Sequence, residues 1–398
     1  MNVPEAALDI CRALANRRRA TTAAVVLGCV LLLAGGTSGQ KVNTTAPFSA
    51  AAWTADMHEY GYPDHPVYHQ WIRLPIFHTD VFYLGDQEVI ETFVTRELVK
   101  DLQRRADPHR ALPLKLHAVV LDAASGKVQW QMAWSSDYMR VGLVPRTNGG
   151  FVVFLGDRLE FYSADFTFRS ELKLPAIPVE ETDLWFSSSP SGRTMLIRYT
   201  NEEQTRCVIV TGEAISVQQD NCELPARTAI SDEEVVTAQV SKDNVGRVQS
   251  KISIKRLQEP WRTLCSDPGV APCNNPEFVS EDTLLLWPGR GDLLRLVSDN
   301  GKTVFQAAKR GSNIVNSYSA TTGLLVLPLY APNARTAAFA AAEVFDVHTG
   351  KRIFEVEQGK GEQAIRDLQG LAISPAGDRL VIEGDGIVRC FDLPPRHQ

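Results

Sequence analysis

The 398-residue chain contains no apolar run approaching the ~20 residues that cross a bilayer core, which excludes a multi-span membrane protein. An excess of basic residues is missing too: 41 Lys and Arg stand against 47 Asp and Glu, a formal charge of -6. The positive field that a general nucleic-acid binder needs is therefore absent. No Gly-rich phosphate loop, no Gly-x-Ser-x-Gly elbow and no His-Glu-x-x-His occurs, which removes the mechanisms those motifs carry. The Cys spacings include no pair of Cys-x-x-Cys units, so a structural zinc site has no support. Hydrophobic residues make up 44% and charged residues 22%, an ordinary globular composition that excludes disorder and collagen.

What is present begins with a targeting segment. Arg12 and Arg17-Arg18-Arg19 precede an apolar stretch from Ala20 to Ala34 and the small residues Gly35-Gly36-Thr37-Ser38-Gly39. That order is a secretory signal peptide, so residues 1–39 are expected to be one. The stretch is short for a span, which favours cleavage near Gly39 over the alternative of a retained N-terminal anchor. Cys29 follows Val26-Leu27-Gly28 and is similar to a lipoprotein acylation box, but Val30-Leu31-Leu32-Leu33 carries the apolar run past it. Removing 1–39 leaves 37 basic and 45 acidic residues, a net charge of -8. The expected product is an extracytoplasmic protein, periplasmic or secreted, with no stable membrane span after cleavage.

Cys207, Cys222, Cys265, Cys273 and Cys390 lie beyond residue 39. An oxidising compartment lets disulfides persist, and the close pairs Cys207/Cys222 and Cys265/Cys273 are the candidates. Cys265 and Cys273 bracket a turn-rich loop with two Pro. Cys207/Cys222 is harder to place, because a two-residue turn at Gly212-Glu213 would set Cys207 near Gln218. Cys390, alone between Arg389 and Phe391, reads as a small buried hydrophobe.

Beyond residue 66 the chain reads as short β-rich runs separated by turn residues. Three hairpins share a signature: Leu121-Asp122 through Ser125-Gly126-Lys127 to Trp130, Val297-Ser298 through Asn300-Gly301-Lys302 to Phe305, and Phe345-Asp346 through Thr349-Gly350-Lys351 to Phe354. Taking the strand end as marker, the recurrences fall at Asp122, Ser163, Thr211, Lys255, Ser298, Asp346 and Asp392, with a mean interval of 45 residues. A four-stranded propeller blade takes ~40–50 residues. The chain is accordingly expected to be all-β, a seven-bladed propeller over 67–395. Ser189-Pro190-Ser191-Gly192 and Ser374-Pro375-Ala376-Gly377 mark turns between the first two strands of blades three and seven. The last blade lacks its outer strand, and Tyr68 to Leu74 is expected to supply it, closing the ring without an open edge.

Leu121-Asp122-Ala123-Ala124-Ser125-Gly126-Lys127-Val128-Gln129-Trp130 resembles the repeat of quinoprotein-type propellers, while the Ser-Pro-x-Gly turns and Phe391-Asp392 resemble the WD-repeat and YVTN-repeat superfamily. The resemblance implies the fold over Val67 to Pro394 and leaves function open. One repeat alone keeps the Trp, and the adjacent Cys-Cys pair of quinone-dependent alcohol dehydrogenases is missing. No cofactor is expected.

In a propeller the hairpin turns leave one face, and the other carries the connections between blades and between second and third strands. The elaboration here falls on the latter: Arg96 to Pro113, Ser241 to Val248, Thr263 to Pro276 and Leu329 to Ala342. Long loops on a rigid scaffold are where binding usually resides. In the first of them Leu98, Leu102 and Ala106 recur at four-residue spacing, the pattern of an amphipathic helix. Arg104, Arg105, His109 and Arg110 form a basic cluster on it, suited to an anionic ligand or a partner's carboxylates. The bland alternative is a solvated helix face.

The extension 40–66 holds Trp53, His58, Tyr60, Tyr62 and His65, and reads as an aromatic strap on the propeller's outer wall. His58, His65, His69 and Asp56 match no metal motif in spacing, and no metal is expected. Together these features describe an exported, monomeric, non-enzymatic module that binds a protein, peptide or polysaccharide through its elaborated face. The alternative is an extracytoplasmic hydrolase or lyase, whose titratable residues would gather at the central channel mouth.

Overall fold

The computed structural model describes residues 50–63, 79–96, 114–137, 141–175, 183–200, 204–225, 228–242, 248–256, 259–268, 273–288, 293–308, 316–330, 339–359, 364–365 and 368–395. Among them the regular structure is strand throughout, apart from one 3-10 turn at Met57–Tyr60. Seven antiparallel sheets of four strands are formed. Blades one to six are built from consecutive strands and span 79–136, 142–173, 183–220, 228–268, 273–308 and 317–357. Blade seven comprises Leu368–Ile373, Arg379–Gly384, Ile387–Asp392 and, outermost, Trp53–Asp56. First strands of neighbouring blades meet one another, so they surround the central channel. This is the seven-bladed propeller that the repeat interval implied.

The repeated marker has a physical cause. Asp122 ends the third strand of blade one, and its Oδ1 accepts from the amides of Ala124 at 3.1 Å and Ser125 at 2.7 Å. Asp346, at the same place in blade six, accepts from His348 N at 2.9 Å and Thr349 N at 3.1 Å. The side chain thus replaces the hydrogen bonds that the strand ladder gives up at the turn. Gly126 then adopts φ 70°, where a side chain would be strained. A hydroxyl or acid at a strand end followed by Gly-Lys is therefore a turn-forming unit.

Neighbouring blades are tied by polar contacts among the turns of one face. Thr147 N donates to Ser191 O at 3.0 Å, and Ser191 Oγ to Asp232 at 2.9 Å. The Glu281 carboxylate accepts from the amides of Ser191 at 3.0 Å and Asp232 at 2.7 Å, so one side chain links blades three, four and five. Ser319 Oγ donates to Pro375 O at 3.1 Å, and Arg379 Nη1 to Ala123 O at 2.8 Å. The Ser-Pro turns predicted from sequence lie where expected, and they take part in this belt.

Closure of the ring corrects the sequence expectation. The outer place in blade seven is held by Trp53–Asp56, paired antiparallel with Ile387–Asp392 from Trp53 opposite Cys390 to Asp56 opposite Ile387. It is not held by Tyr68 to Leu74, which lies outside the described residues. The reason lies in Trp53. Its indole donates to Ala123 O at 2.9 Å, and its ring covers Gly126, where a Cβ would come within 2.5 Å of Trp53 Cε3. The strand starting at Trp53 fills that bare glycine surface. Met57 and Tyr62 follow it into the seam between blades seven and one, joining Val81, Phe93, Val119, Val381 and Val388. The aromatic extension is therefore a working strand of blade seven and not a strap on the wall.

Two of the elaborated segments are shorter than the sequence suggested. Strands Arg262–Pro268 and Cys273–Ser280 occupy most of Thr263 to Pro276, leaving 269–272 as the connection. Strands Leu324–Tyr330 and Phe339–Asp346 reduce Leu329 to Ala342 to a link over 331–338. The ladders run through Pro268, Pro276 and Pro328, where Pro had signalled a loop. Ser241 and Val248 likewise belong to the strands Glu234–Lys242 and Val248–Arg256.

Cys207 and Cys222 are bridged, with Cα atoms 5.6 Å apart. The turn is the short one, Thr211 facing Ala214, but a bulge between Ile209 and Val210 moves Cys207 opposite Gln219. Asn221 at φ 55° then reverses the chain, and Cys222 N donates to Thr205 O at 2.7 Å. The reversal, rather than a longer turn, returns the thiol to its partner. The side chains of Cys265 and Cys273 lie outside the described residues.

Two outcomes follow for stability. Replacing Cys207 and Cys222 with Ser should cost about 3 kcal/mol in denaturant unfolding, the loop-entropy value for a bridge 15 residues apart. Trp53→Ala should cost about 3–5 kcal/mol by the same measurement, because it removes a buried aromatic ring together with an indole hydrogen bond.

Candidate functional site

The basic cluster Arg104, Arg105, His109 and Arg110 lies outside the described residues, as do residues 97–113 as a whole. What the described residues bring together is a different set, of carboxylates near the ring axis. The alternation of each strand fixes where these point. In the second strand of blade one, Glu88–Arg96, the side chains of Val89 and Phe93 enter the seam with blade seven. Glu91 shares their parity and enters it as well. In the second strand of blade seven, Val381 faces blade one, and Glu383 two residues on does the same. Glu91 pairs across the sheet with Val81, and Glu383 with Gly370 and Val388.

Both glutamates are completely buried. Among the described residues neither carboxylate oxygen of Glu91 has a hydrogen-bond partner. Glu383 Oε1 accepts from Gly386 N at 3.0 Å. Burial drives the Glu91 carboxyl well above the usual range, and the charges of Glu383 and Asp80 push it further. Burial without a hydrogen-bond partner thus favours the protonated form of Glu91.

Asp80 belongs to the first strand of blade one, Thr79–Leu84, and Glu277 to the first strand of blade five, Cys273–Ser280, across the ring. Protein surrounds both, yet both keep some solvent access, as side chains lining a narrow channel do. Burial pushes Asp80 up to about 7, opposed by the Val81 amide at 3.0 Å and reinforced by Glu277. Glu277 is raised by burial, against a hydrogen bond from Asn316 Nδ2 at 3.1 Å. The channel thus holds in Asp80 a carboxyl group able to give or take a proton near neutral pH.

Other ionisable groups are spoken for. His117 is driven down to about 4, chiefly by burial and then by Lys115; its ring stacks on Phe93 at 4.7 Å and meets Thr95 Oγ1 at 2.8 Å. It is neutral and structural. Asp56 caps the 3-10 turn through His58 N at 2.9 Å and touches His58 Nδ1 at 2.7 Å. These two residues serve the turn, and His65 and His69 lie outside the described residues. No group of three ligand residues among the described ones is arranged to hold a metal ion. Cys390 is a free buried thiol, pushed up to about 12 mainly by burial.

Sequence reasoning did not single out Asp80, Glu91, Glu277 or Glu383. A signal existed: Val89-Ile90-Glu91-Thr92-Phe93 and Leu380-Val381-Ile382-Glu383 each set an acid within a strand otherwise apolar on both sides. Such an acid is expensive unless it is paired or protonated.

No family model matches the chain, and no curated protein matches its sequence. Among solved structures the chain is similar to the WD40 domain of Neurospora crassa Pan2, with a TM-score of 0.51 and 8% identity over 88% of this chain and 96% of that one. It also aligns with the C-terminal WD40 domain of Sif2, at a TM-score of 0.44 and 9% identity over 81% of this chain and 97% of that one. A chain of the mitotic checkpoint complex aligns at a TM-score of 0.49 and 10% identity over 90% and 99%. At these identities the likeness is one of fold: a WD40-like seven-bladed propeller.

Asp80→Asn tests the channel's electrostatics. A carboxyl whose folded pKa is raised from 3.8 to about 7 contributes stability below pH 4 that is lost as pH rises through 7. That displacement corresponds to on the order of 4 kcal/mol. Thermal unfolding of the Asn variant should lose less stability between about pH 4 and 8 than the parent does.

Proposed function

We propose that this protein is an exported binding module, holding a protein, peptide or polysaccharide on the face where its blades are elaborated. The observation that carries the reading is the seven-bladed ring itself. It is a stiff, closed scaffold, WD40-like in fold, and WD40 propellers commonly mediate protein binding. The strand ends that flank 97–113, 269–272 and 331–338 are second-to-third-strand or blade-to-blade ends, which a propeller turns to one side, and in a rigid scaffold recognition concentrates in the loops joined there. Export is supported by the signal-like segment 1–39 and by the Cys207–Cys222 bridge, a bond that persists in oxidising compartments. Arg104, Arg105 and Arg110 are the proposed contacts, since clustered guanidinium groups hold carboxylates or phosphates bidentately.

A second reading has one observation in its favour. Asp80, raised to about 7 beside the charge of Glu277, has the protonation behaviour of a general acid in a hydrolase or lyase. The two readings separate in a single experiment. Immobilised mature protein should capture its partner from an envelope extract, and replacing Arg104, Arg105 and Arg110 together with Ser should weaken that capture several-fold, an effect that fades as added salt shortens the Debye length below ~10 Å. Asp80→Asn should leave capture unchanged under the binding reading. Retention of the same partners by the triple variant would remove the blade-one insert from the site.

A further inference from the structure

Buried acids elsewhere in the ring are met by arginine. Glu343 in blade six touches Arg352 Nη1 at 2.6 Å, and Glu234 in blade four touches Arg262 Nη2 at 3.1 Å. Among the described residues Glu91 has no such partner, and it lies in the seam where the two ends of the propeller meet. In front of it Gly370 and Val81 are in close approach, since a Cβ on Gly370 would stand 2.9 Å from Val81 Cγ1. Behind it the third strand of blade seven carries Trp53–Asp56.

We infer that Glu91, set against Glu383, is a proton-operated latch on ring closure: protonated, it lets blades one and seven seal, and on ionisation the seam loosens and releases the strand Trp53–Asp56. The driving force is elementary. An ionised Glu91 would be a buried charge with no partner and with like charges at Glu383 and Asp80, a state relieved only by admitting water. Gly386 N already satisfies one oxygen of Glu383, so Glu91 is the member that must keep the proton.

The groups around the pair leave that assignment intact. From the first strand of blade one come Asp80, which adds to the repulsion, and Tyr83, whose hydroxyl is pushed up by burial and stays neutral. The third strand of blade seven offers Arg389 and Cys390. Arg389 alternates to the far side of the sheet from Val388 and Cys390, and its Nη1 lies 3.5 Å from Gly384 O and 3.3 Å from Ile387 O. Its charge is thus engaged by its own turn, with Asp385 and Glu383 in its field, which favours an ionised Glu383 and leaves the proton to Glu91. Cys390 and His117 are neutral between about pH 5 and 9, the latter because burial holds it down near 4. From the N-terminal strand His58 engages Asp56, and Tyr62 rests edge-on against both His58 and Phe93.

A raised carboxyl contributes stability that is complete below the ordinary glutamate value and is lost as pH rises through the folded one. The test is amide hydrogen exchange by mass spectrometry on the full chain, corrected for intrinsic exchange rates and read at the peptide containing Trp53–Asp56. In an Asp80→Asn background, which removes the channel acid, protection of that peptide should fall about tenfold from about pH 6 to 9. Glu91→Gln in that background should hold the fall to less than about twofold, and Glu383→Gln should shift it to lower pH, because removing the like charge lets Glu91 ionise more easily. The outer strand of blade three, Ala214–Asp220, is the internal reference and should show no such change. An equal fall in Glu91→Gln, or an equal fall at the reference strand, overturns the latch. Should Glu91→Gln not fold, the Glu383→Gln shift alone decides the question.

Discussion

The antiparallel pairing of Trp53–Asp56 with Ile387–Asp392 is the contact on which the ring depends. Six blades are made from neighbouring strands and could in principle form locally. The seventh joins the two ends of the sequence, and until it forms, blades one and seven face water with the apolar surfaces of Val81, Phe93, Val381 and Val388. Closing so long a loop costs entropy, but that cost grows only logarithmically with length. Against it stand the burial of Trp53, Met57 and Tyr62, each worth roughly 1.5–3 kcal/mol by area, and the indole hydrogen bond to Ala123. The balance favours closure by a small number of side chains.

How the interior treats charge follows from the same geometry. Sheets that radiate from an axis crowd at the centre and diverge outward, so an acid near the periphery can be reached by a long side chain from the next strand. Arg352, on the fourth strand of blade six, does this for Glu343 on the third. Closer to the axis, first strands are too tightly opposed for an arginine, as the contact of Gly370 with Val81 illustrates. Acids there are left to protonate or to find small donors, such as the Gly386 amide for Glu383 and Asn316 for Glu277.

Much of the architecture was legible in the sequence because turn chemistry repeats with the blade. Asp122 and Asp346 end equivalent strands for the same reason, and the Ser-Pro-x-Gly turns sit where their residues dictate. The closing strand was harder to find: Tyr68 to Leu74 has strand-like alternation, whereas Trp53–Asp56 is four residues long and is selected by a tertiary feature, the bare surface over Gly126. Cys207 and Cys222 were paired correctly by proximity, but the bulge and the Asn221 reversal that bring them together leave no periodic trace. The axial acids escaped because a single Glu in an apolar strand reads as an edge or solvent-facing residue until the ring closes around it. The basic cluster at Arg104, Arg105, His109 and Arg110 rests on the sequence argument alone.

Glu91 and Glu383 occupy second strands, one layer out from the channel and two layers in from the closing strand. That intermediate depth gives them reach in both directions. Inward, the charge of Glu91 is felt together with that of Asp80, whose own proton is held near neutrality. Outward, the backbone of Glu383 is bonded through Val388 to the strand that carries Trp53–Asp56. Densely packed interiors transmit displacement poorly when every neighbour is locked, but a seam holding a carboxyl with no hydrogen-bond partner among the described residues has a second arrangement available, in which water enters. The acid channel and the ring closure are therefore coupled through shared walls. A group that titrates at the axis acts on the one joint whose opening exposes both blades beside it.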